Sequence, residues 1–181
     1  MASEFAELLQ GAKDGQPWAW ERIYRTYAPP VTGYLALRGA DEPEDLTSET
    51  LYHVARAIGK FEGTEESFRS WVFVIAHRRL IDARRAKQRR VEHAELDHEL
   101  AASGGDVEIE ALDNLALADI QDLLEPLTEE QRSVITLRMI GDLSLERTAE
   151  IMGKRVGSVK ALQRRALATL KRHLESEGVS P

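Results

Sequence analysis

Apolar residues recur along this chain every three or four positions, and no stretch alternates in the way of a half-buried strand. Trp20, Ile23, Tyr24, Tyr27, Val31, Tyr34 and Leu35 set the first long helical stripe within Trp18–Leu37, which Pro29 and Pro30 are expected to bend or break. Asp41-Glu-Pro-Glu44 reads as a helix start, with Asp41 as cap, Pro43 in the first turn and Glu44 closing a capping box. Leu46, Thr50, Leu51, Val54 and Ile58 continue that helix until Gly59. Thr64-Glu-Glu-Ser67 opens a longer one, with Phe68, Trp71, Val72, Ile75, Ala76 and Leu80 as its buried stripe. Ala101-Ala-Ser-Gly-Gly-Asp106 then interrupts the pattern and marks a domain boundary. Helicity resumes over Leu112–Leu124, Pro126 ends it, and Thr128-Glu-Glu-Gln131 is a second capping box ahead of Val134, Ile135, Leu137 and Met139. The pattern predicts an all-α chain of two small helical domains joined by a flexible linker.

The sharpest local pattern lies in Leu143–Leu174. A short helix, Ser144–Met152, places Leu145, Thr148, Ala149 and Met152 on one face, and Gly153 follows at a tight turn. A second helix then points Val159, Leu162, Ala166, Leu167 and Leu170 inward, leaving Lys160, Ala161, Arg164, Arg165 and Thr169 outward. Small Ala149 allows close crossing and Gly153 supplies the backbone freedom of the turn, as in a helix-turn-helix. A second helix of this kind enters the major groove, with Arg available for guanine edges.

Charge changes the picture more than composition does. The whole chain of 181 residues carries −7, yet Phe68–Arg90 and Lys154–Leu174 each carry +7, and Val91–Asp113 between them carries −8. Two basic blocks on one acidic tether imply two grips on a polyanion. With those blocks removed the remainder sums to −21, which gives ordinary solubility or an acidic face for a basic protein partner. The absence of Cys excludes disulfides, thiolate zinc sites and cysteine nucleophiles, and fits a reducing compartment. No apolar run is long enough to span a membrane, and Met1–Gln10 lacks the plan of a signal peptide, so a cytoplasmic protein without membrane insertion is expected. His93 and His98 lie among acids, but their five-residue spacing suits a solvated stretch better than a metal site. No phosphate loop or nucleophile motif is present, so no cofactor and no catalytic residue is expected.

Several phrases then meet in order: Asp45-Leu-Thr-Ser-Glu-Thr50, Lys60-Phe61, Ser67-Phe-Arg-Ser-Trp71, Ile75-Ala-His-Arg-Arg-Leu-Ile-Asp82, Leu127-Thr-Glu-Glu-Gln131 and Val156-Gly-Ser-Val-Lys160. From about residue 16 to 174 the sequence resembles the extracytoplasmic-function (group 4) sigma factors of bacterial RNA polymerase. The resemblance implies sigma region 2 over residues 1–90, an acidic linker over 91–112 and sigma region 4 over 113–181. It implies core-polymerase binding by Asp45, Leu46, Ser48 and Glu49, facing basic clamp helices of the largest subunit. Lys60, Phe61, Phe68, Arg78, Arg79 and Arg85 would melt and read the −10 promoter element, with Trp71 as a further aromatic. Arg155, Ser158, Lys160, Ala161, Arg164 and Arg165 would read the −35 element. Ala161 stands where relatives often have Ser, and can still touch a thymine methyl. The partners implied are core RNA polymerase through its clamp helices and the flap of the second-largest subunit, promoter DNA, and an anti-sigma factor, which is usual in the family. The function implied is direction of the polymerase to promoters, without catalysis of its own. The rival is an autonomous helix-turn-helix regulator on operator DNA, which leaves residues 18–90 without a job.

Overall fold

The computed structural model describes residues 2–94 and 110–176. Among the described residues the fold is all-α: α1 (Ala2–Lys13), α2 (Pro17–Leu37), α3 (Pro43–Ala57), a 3-10 turn (Ile58–Lys60), α4 (Glu65–Ala94), α5 (Glu110–Leu124), α6 (Glu129–Met139), α7 (Leu145–Met152) and α8 (Val156–Ser176). His98 and the middle of the acidic linker lie outside the described residues, and of His93 only the backbone is described.

Helices α1 to α4 form an amino-terminal bundle around Ile23, Tyr27, Val31, Leu51, Val54, Phe68, Val72, Ala76 and Leu80. Helix α2 runs unbroken through Pro29 and Pro30, so of the expected bend or break the break does not occur. Each proline removes a bond to the carbonyl four residues earlier, but Arg25 and Thr26, which own those carbonyls, are exposed to water. The opposite face of α2 buries Tyr27, Ala28, Val31, Tyr34 and Leu35, and that packing holds the helix together. The expected cap on α3 also differs. The chain enters α3 at Glu42, which makes no side-chain cap bond, while Asp41 pairs with Lys87 at 2.7 Å. Pro43 does occupy the first turn. Thr64 starts α4 as expected: its carbonyl accepts from Phe68 N (2.9 Å) and its hydroxyl from Ser67 N (3.3 Å).

Helices α5 to α8 form the second domain. The capping box at its centre is complete, with Gln131 N donating to Thr128 Oγ1 at 3.4 Å and Thr128 N to Gln131 Oε1 at 3.0 Å. Val134, Ala149, Val159 and Leu162 make the small core beneath the helix-turn-helix. Leu167 and Leu170 do not join that core. Leu167 is 48% exposed, and both line an apolar cleft of about 540 Å3 with Leu37, Ile120, Met139 and Leu174. Leu170 keeps the inward side of α8, packed on Leu124, Leu127, Ile135 and Ala166, whereas Leu167 is exposed at the mouth of the cleft rather than inward as expected.

The two domains pack on each other along a seam that the sequence pattern does not suggest. Leu137 and Leu143 are buried in the same cluster as Tyr34 and Phe73, although they belong to the second domain. Leu37 of α2 in turn packs with Leu124, Leu127, Ile135 and Ala166. Gly141 lies so close that a Cβ there would stand 3.3 Å from the Phe73 ring and 2.6 Å from the Leu137 carbonyl oxygen.

Candidate polymerase and nucleic-acid interfaces

Helix α3 is amphipathic in a way that fixes its acids outward. Thr47, Thr50, Leu51 and Val54 are buried. The two threonine hydroxyls are satisfied locally, Thr47 donating to Pro43 O (2.8 Å) and Thr50 to Leu46 O (2.7 Å), so their burial leaves no unpaired donor. Asp45, Ser48 and Glu49 are exposed and Leu46 is half-buried. Among the described residues neither Asp45 nor Glu49 has a basic partner within 4.0 Å. Both border a shallow cleft shared with Arg84, Lys87 and Arg90 of α4. Tyr52, 58% exposed, continues the same face three residues beyond Glu49, with the Arg56 guanidinium 5.7 Å from its ring centre. The sequence reading missed Tyr52, although its seven-residue spacing from Asp45 places it on that stripe.

The loop after the 3-10 turn brings three aromatics together. Phe61 stacks on Trp71 at 5.0 Å between ring centres and meets Phe68 edge-on at 5.1 Å. Phe68 is fully buried against Phe5 and Tyr27, so it has no surface to offer a base. It forms the wall behind Phe61 and Trp71, which are half-buried. Gly63 shapes the loop with φ 152°, a conformation costly for any other residue, and a Cβ there would stand 2.3 Å from Ser67 Oγ. Lys60, Arg78 and Arg85 are exposed, and Arg79 is half-buried.

The basic block of α4 is thus divided by its surroundings. Arg69 covers the Tyr27 ring at 5.6 Å, Lys87 pairs with Asp41, and Arg84 pairs with Glu129 of α6. Midway along the helix, Tyr34 Oη lies 2.8 Å from His77 Nδ1. Burial, reinforced by the Arg38 and Arg84 guanidinium groups, pushes His77 down to about 4, so the ring is neutral near pH 7. A neutral Nδ1 here accepts the tyrosine proton. Burial raises Tyr34 itself to about 12, which keeps its hydroxyl a donor.

The helix-turn-helix is locally determined. Ser144 caps α7 by accepting from Arg147 N at 3.2 Å. Gly153 ends it in the left-handed conformation (φ 61°, ψ 34°), and Lys154 N returns to Ala149 O at 2.9 Å. Helix α8 then buries Val159, Leu162 and Ala166. Its far face exposes Ser158, Lys160, Arg164 and Arg165, with Arg155 exposed just ahead of it and Ala161 half-buried at the edge. Lys154 is drawn aside by Glu130 at 2.6 Å. Among the described residues Arg155, Lys160, Arg164 and Arg165 have no acidic partner within 4.0 Å, which suits contact with a groove lined by phosphates. The structure brings the −35 candidates onto one face and the polymerase-docking candidates onto another, and of the −10 candidates it buries Phe68 beneath Phe61.

Comparison with known proteins follows the same division. Residues 23–90 match the model of sigma-70 region 2, and residues 117–170 that of sigma-70 region 4. The sequence is 35% identical over 182 residues to BldN of Streptomyces coelicolor, named as an ECF RNA polymerase sigma factor. That match covers 97% of this chain and 68% of BldN. SigD of Mycobacterium tuberculosis, named likewise, is 29% identical, covering 96% of this chain and 83% of SigD. Among solved structures, RpoE in complex with the anti-sigma factor NepR from Bartonella quintana has a TM-score of 0.67 at 23% identity, over 86% of this chain and 96% of that one. CnrH in complex with the cytosolic domain of CnrY has a TM-score of 0.66 at 20% identity, over 93% and 96%. These two share the fold.

Proposed function

The chain belongs to the extracytoplasmic-function sigma factors of RNA polymerase, and we propose how its two domains divide the work of directing that enzyme to promoters. In this reading residues 1–90 act as region 2 and residues 113–181 as region 4. Asp45, Ser48 and Glu49 dock on the basic clamp helices of the largest polymerase subunit, with Leu46 and Tyr52 giving apolar contact beside them. Phe61 and Trp71, backed by Phe68, receive an extruded base of the −10 element while Lys60, Arg78, Arg79 and Arg85 track its phosphates. Arg155, Ser158, Lys160, Arg164 and Arg165 hold the −35 duplex, and Ala161 touches base edges.

The apolar cleft between α5, α6 and α8 suits an amphipathic helix, and the flap of the second-largest subunit is its proposed occupant. An anti-sigma factor is the proposed negative partner, as for the relative captured with NepR. The protein works in the cytoplasm and the polymerase supplies all catalysis. Among the described residues no helix is long and apolar enough to cross a membrane, and no group of acidic or imidazole side chains is placed to hold a metal.

One observation carries the reading. Two exposed faces of opposite charge sit on separate domains, acids on α3 and unpaired cations on α8. A free regulator would need only the second. Run-off transcription with purified core polymerase on genomic fragments tests the assignment and returns promoter sequences. Alanine at Lys160, Arg164 and Arg165 together is expected to cut −35-dependent transcription by at least about a hundredfold, each contact being worth about 1–3 kcal/mol, with core binding unchanged. Glu49→Lys is expected to weaken core association instead. Loss of core binding in the triple variant, or full core binding by Glu49→Lys, would overturn the division of labour.

A further inference from the structure

Tyr27 is only 1% exposed, and its hydroxyl finds no hydrogen-bond partner among the described residues. A phenylalanine would fill the same space against Phe68 without leaving a buried donor unpaired. Burial pushes that hydroxyl up to about 12, with Arg69 opposing and the Glu65 charge adding to the rise, so it stays a proton donor. Tyr27 borders a cleft of about 240 Å3 between α1, α2 and α4, walled also by Glu4, Phe5, Leu8, Arg22 and Glu65. One water takes up roughly 30 Å3, so the cleft has room for a larger group. The Glu4 carboxylate is already taken by Arg22. Glu65, in the first turn of α4, is exposed and has no basic partner within 4.0 Å among the described residues.

The cleft therefore offers one donor, the two acceptor oxygens of a free carboxylate, and apolar walls from Phe5 and Leu8. Donor, acceptor, acceptor is the order of groups on the pairing edge of cytosine, and its complement is guanine. Guanine O6 accepts from a hydroxyl, while N1–H and N2–H together donate to the two oxygens of one carboxylate. Adenine and cytosine lack the ring N–H, and thymine would set a second carbonyl against the carboxylate. We infer that this cleft is a second base pocket beside the one proposed at Phe61 and Trp71, and that Tyr27 and Glu65 select an unpaired guanine of the promoter strand there. The inference rests on the sigma-factor reading.

The placement suits a single strand that passes both pockets. Phe68 touches both rings, with its centre 5.2 Å from that of Tyr27 and 5.1 Å from that of Phe61. The Tyr27 and Phe61 rings therefore lie within about 10 Å of each other. A stacked strand advances about 3.4 Å per nucleotide, so a base within about three nucleotides of the extruded one reaches the cleft. Arg69, 5.6 Å from the Tyr27 ring centre and half-buried, supplies a cation for the phosphates between them. Arg69 thus has a use in binding beyond its packing on Tyr27.

Run-off transcription with core polymerase tests the pocket on a promoter library randomised within about three nucleotides of the extruded base. The parent chain is expected to favour guanine over adenine by about tenfold at one of those positions. Tyr27→Phe and Glu65→Gln should each bring that ratio close to one and leave the −35 preference as it was. Glu65 is exposed, so Glu65→Gln reports even where Tyr27→Phe folds poorly. A parent chain with no guanine preference at these positions, or a preference that survives both variants, overturns the pocket. If the parent chain directs no transcription from any library member, the sigma-factor reading fails, and binding by the free chain then decides the pocket alone. In NMR titrations, a short single strand with one guanine among adenines should shift the Thr26 and Glu65 amides more than its all-adenine counterpart, and Tyr27→Phe should abolish the difference. Equal shifts overturn the pocket. Free deoxyguanosine monophosphate in the same titration separates the two sources of the base. Shifts from it as large as those from the strand would assign the cleft to a free nucleotide and overturn the promoter assignment.

Discussion

Helices α4 and α8 carry equal net charge in the sequence and use it differently. In α4 three cations are engaged within the chain: Arg69 by Tyr27, Arg84 by Glu129 and Lys87 by Asp41. In α8 the proposed reading face keeps Lys160, Arg164 and Arg165 clear of acids among the described residues, and the pairs fall at its margins, Lys154 with Glu130 and Lys171 with Glu175. The difference follows from burial. Helix α4 is sunk in its bundle along Phe68, Val72, Phe73, Ala76 and Leu80, so its cations meet neighbours on several sides. Helix α8 buries a narrow stripe of Val159, Leu162 and Ala166, continued by half-buried Leu170, and its cations lie off that stripe. Equal charge thus conceals one helix whose cations are partly spent on the fold and another whose cations are left exposed.

The largest effect should come from removing the support of α4. Phe68→Ala deletes a fully buried ring in contact with Phe5, Tyr27, Phe61 and Trp71. A loss of about 3–5 kcal/mol is expected, read as a drop in urea midpoint. Binding of the −35 duplex should persist, because no residue of α8 belongs to the core cluster that holds Phe68. A matching loss of −35 binding would mean that the two helices depend on each other more than their packing implies.

Much of this division could be read from the residues in order. The capping box at Thr128 and Gln131, the Gly153 turn and the exposed cations of α8 depend on neighbours within a few positions, where periodicity and cap chemistry report well. The seam could not be read that way. Arg38 and Glu129 are 91 positions apart, and Phe73 looks like one more apolar residue until Gly141 and Tyr34 are placed beside it. The Pro29-Pro30 pair misled for a related reason: tertiary packing on one face of α2 outweighs two lost backbone bonds on the wet face. Phe68 reads both as part of the buried stripe of α4 and as a −10 candidate; its full burial leaves half-buried Phe61 and Trp71 as the more accessible rings.

A smaller effect, centred on α4, is read by pH. His77 on α4 faces Tyr34, Arg38, Arg84 and Glu129, and its pKa falls from 6.5 to about 4 on folding. The unfolded chain therefore binds the extra proton between those values. Stability from this group is full above about 6.5 and is lost as the pH falls toward about 4. His77→Gln keeps an acceptor for Tyr34 and removes the titration. Denaturation midpoints of the variant should fall less steeply than those of the parent between pH 6.5 and 4. Parallel curves would show that the acid sensitivity lies elsewhere.

The smallest expected difference concerns two caps of the same chemistry. Thr64 starts α4 and Thr128 starts α6, each accepting from the backbone N–H three residues on. Replacing either by Ala should cost about 1 kcal/mol through the lost cap alone. Thr128, however, precedes Glu129, whose carboxylate and carbonyl both hold Arg38. Loosening that first turn of α6 frays the seam as well as the helix. Thr128→Ala should therefore cost more than Thr64→Ala in the full chain, and the excess should vanish when Glu129 is already Lys, since the seam no longer depends on it. An excess that survives in the Glu129→Lys background would place it in the capping box alone, where Gln131 also loses its partner, and would leave the two domains coupled only through their apolar contact.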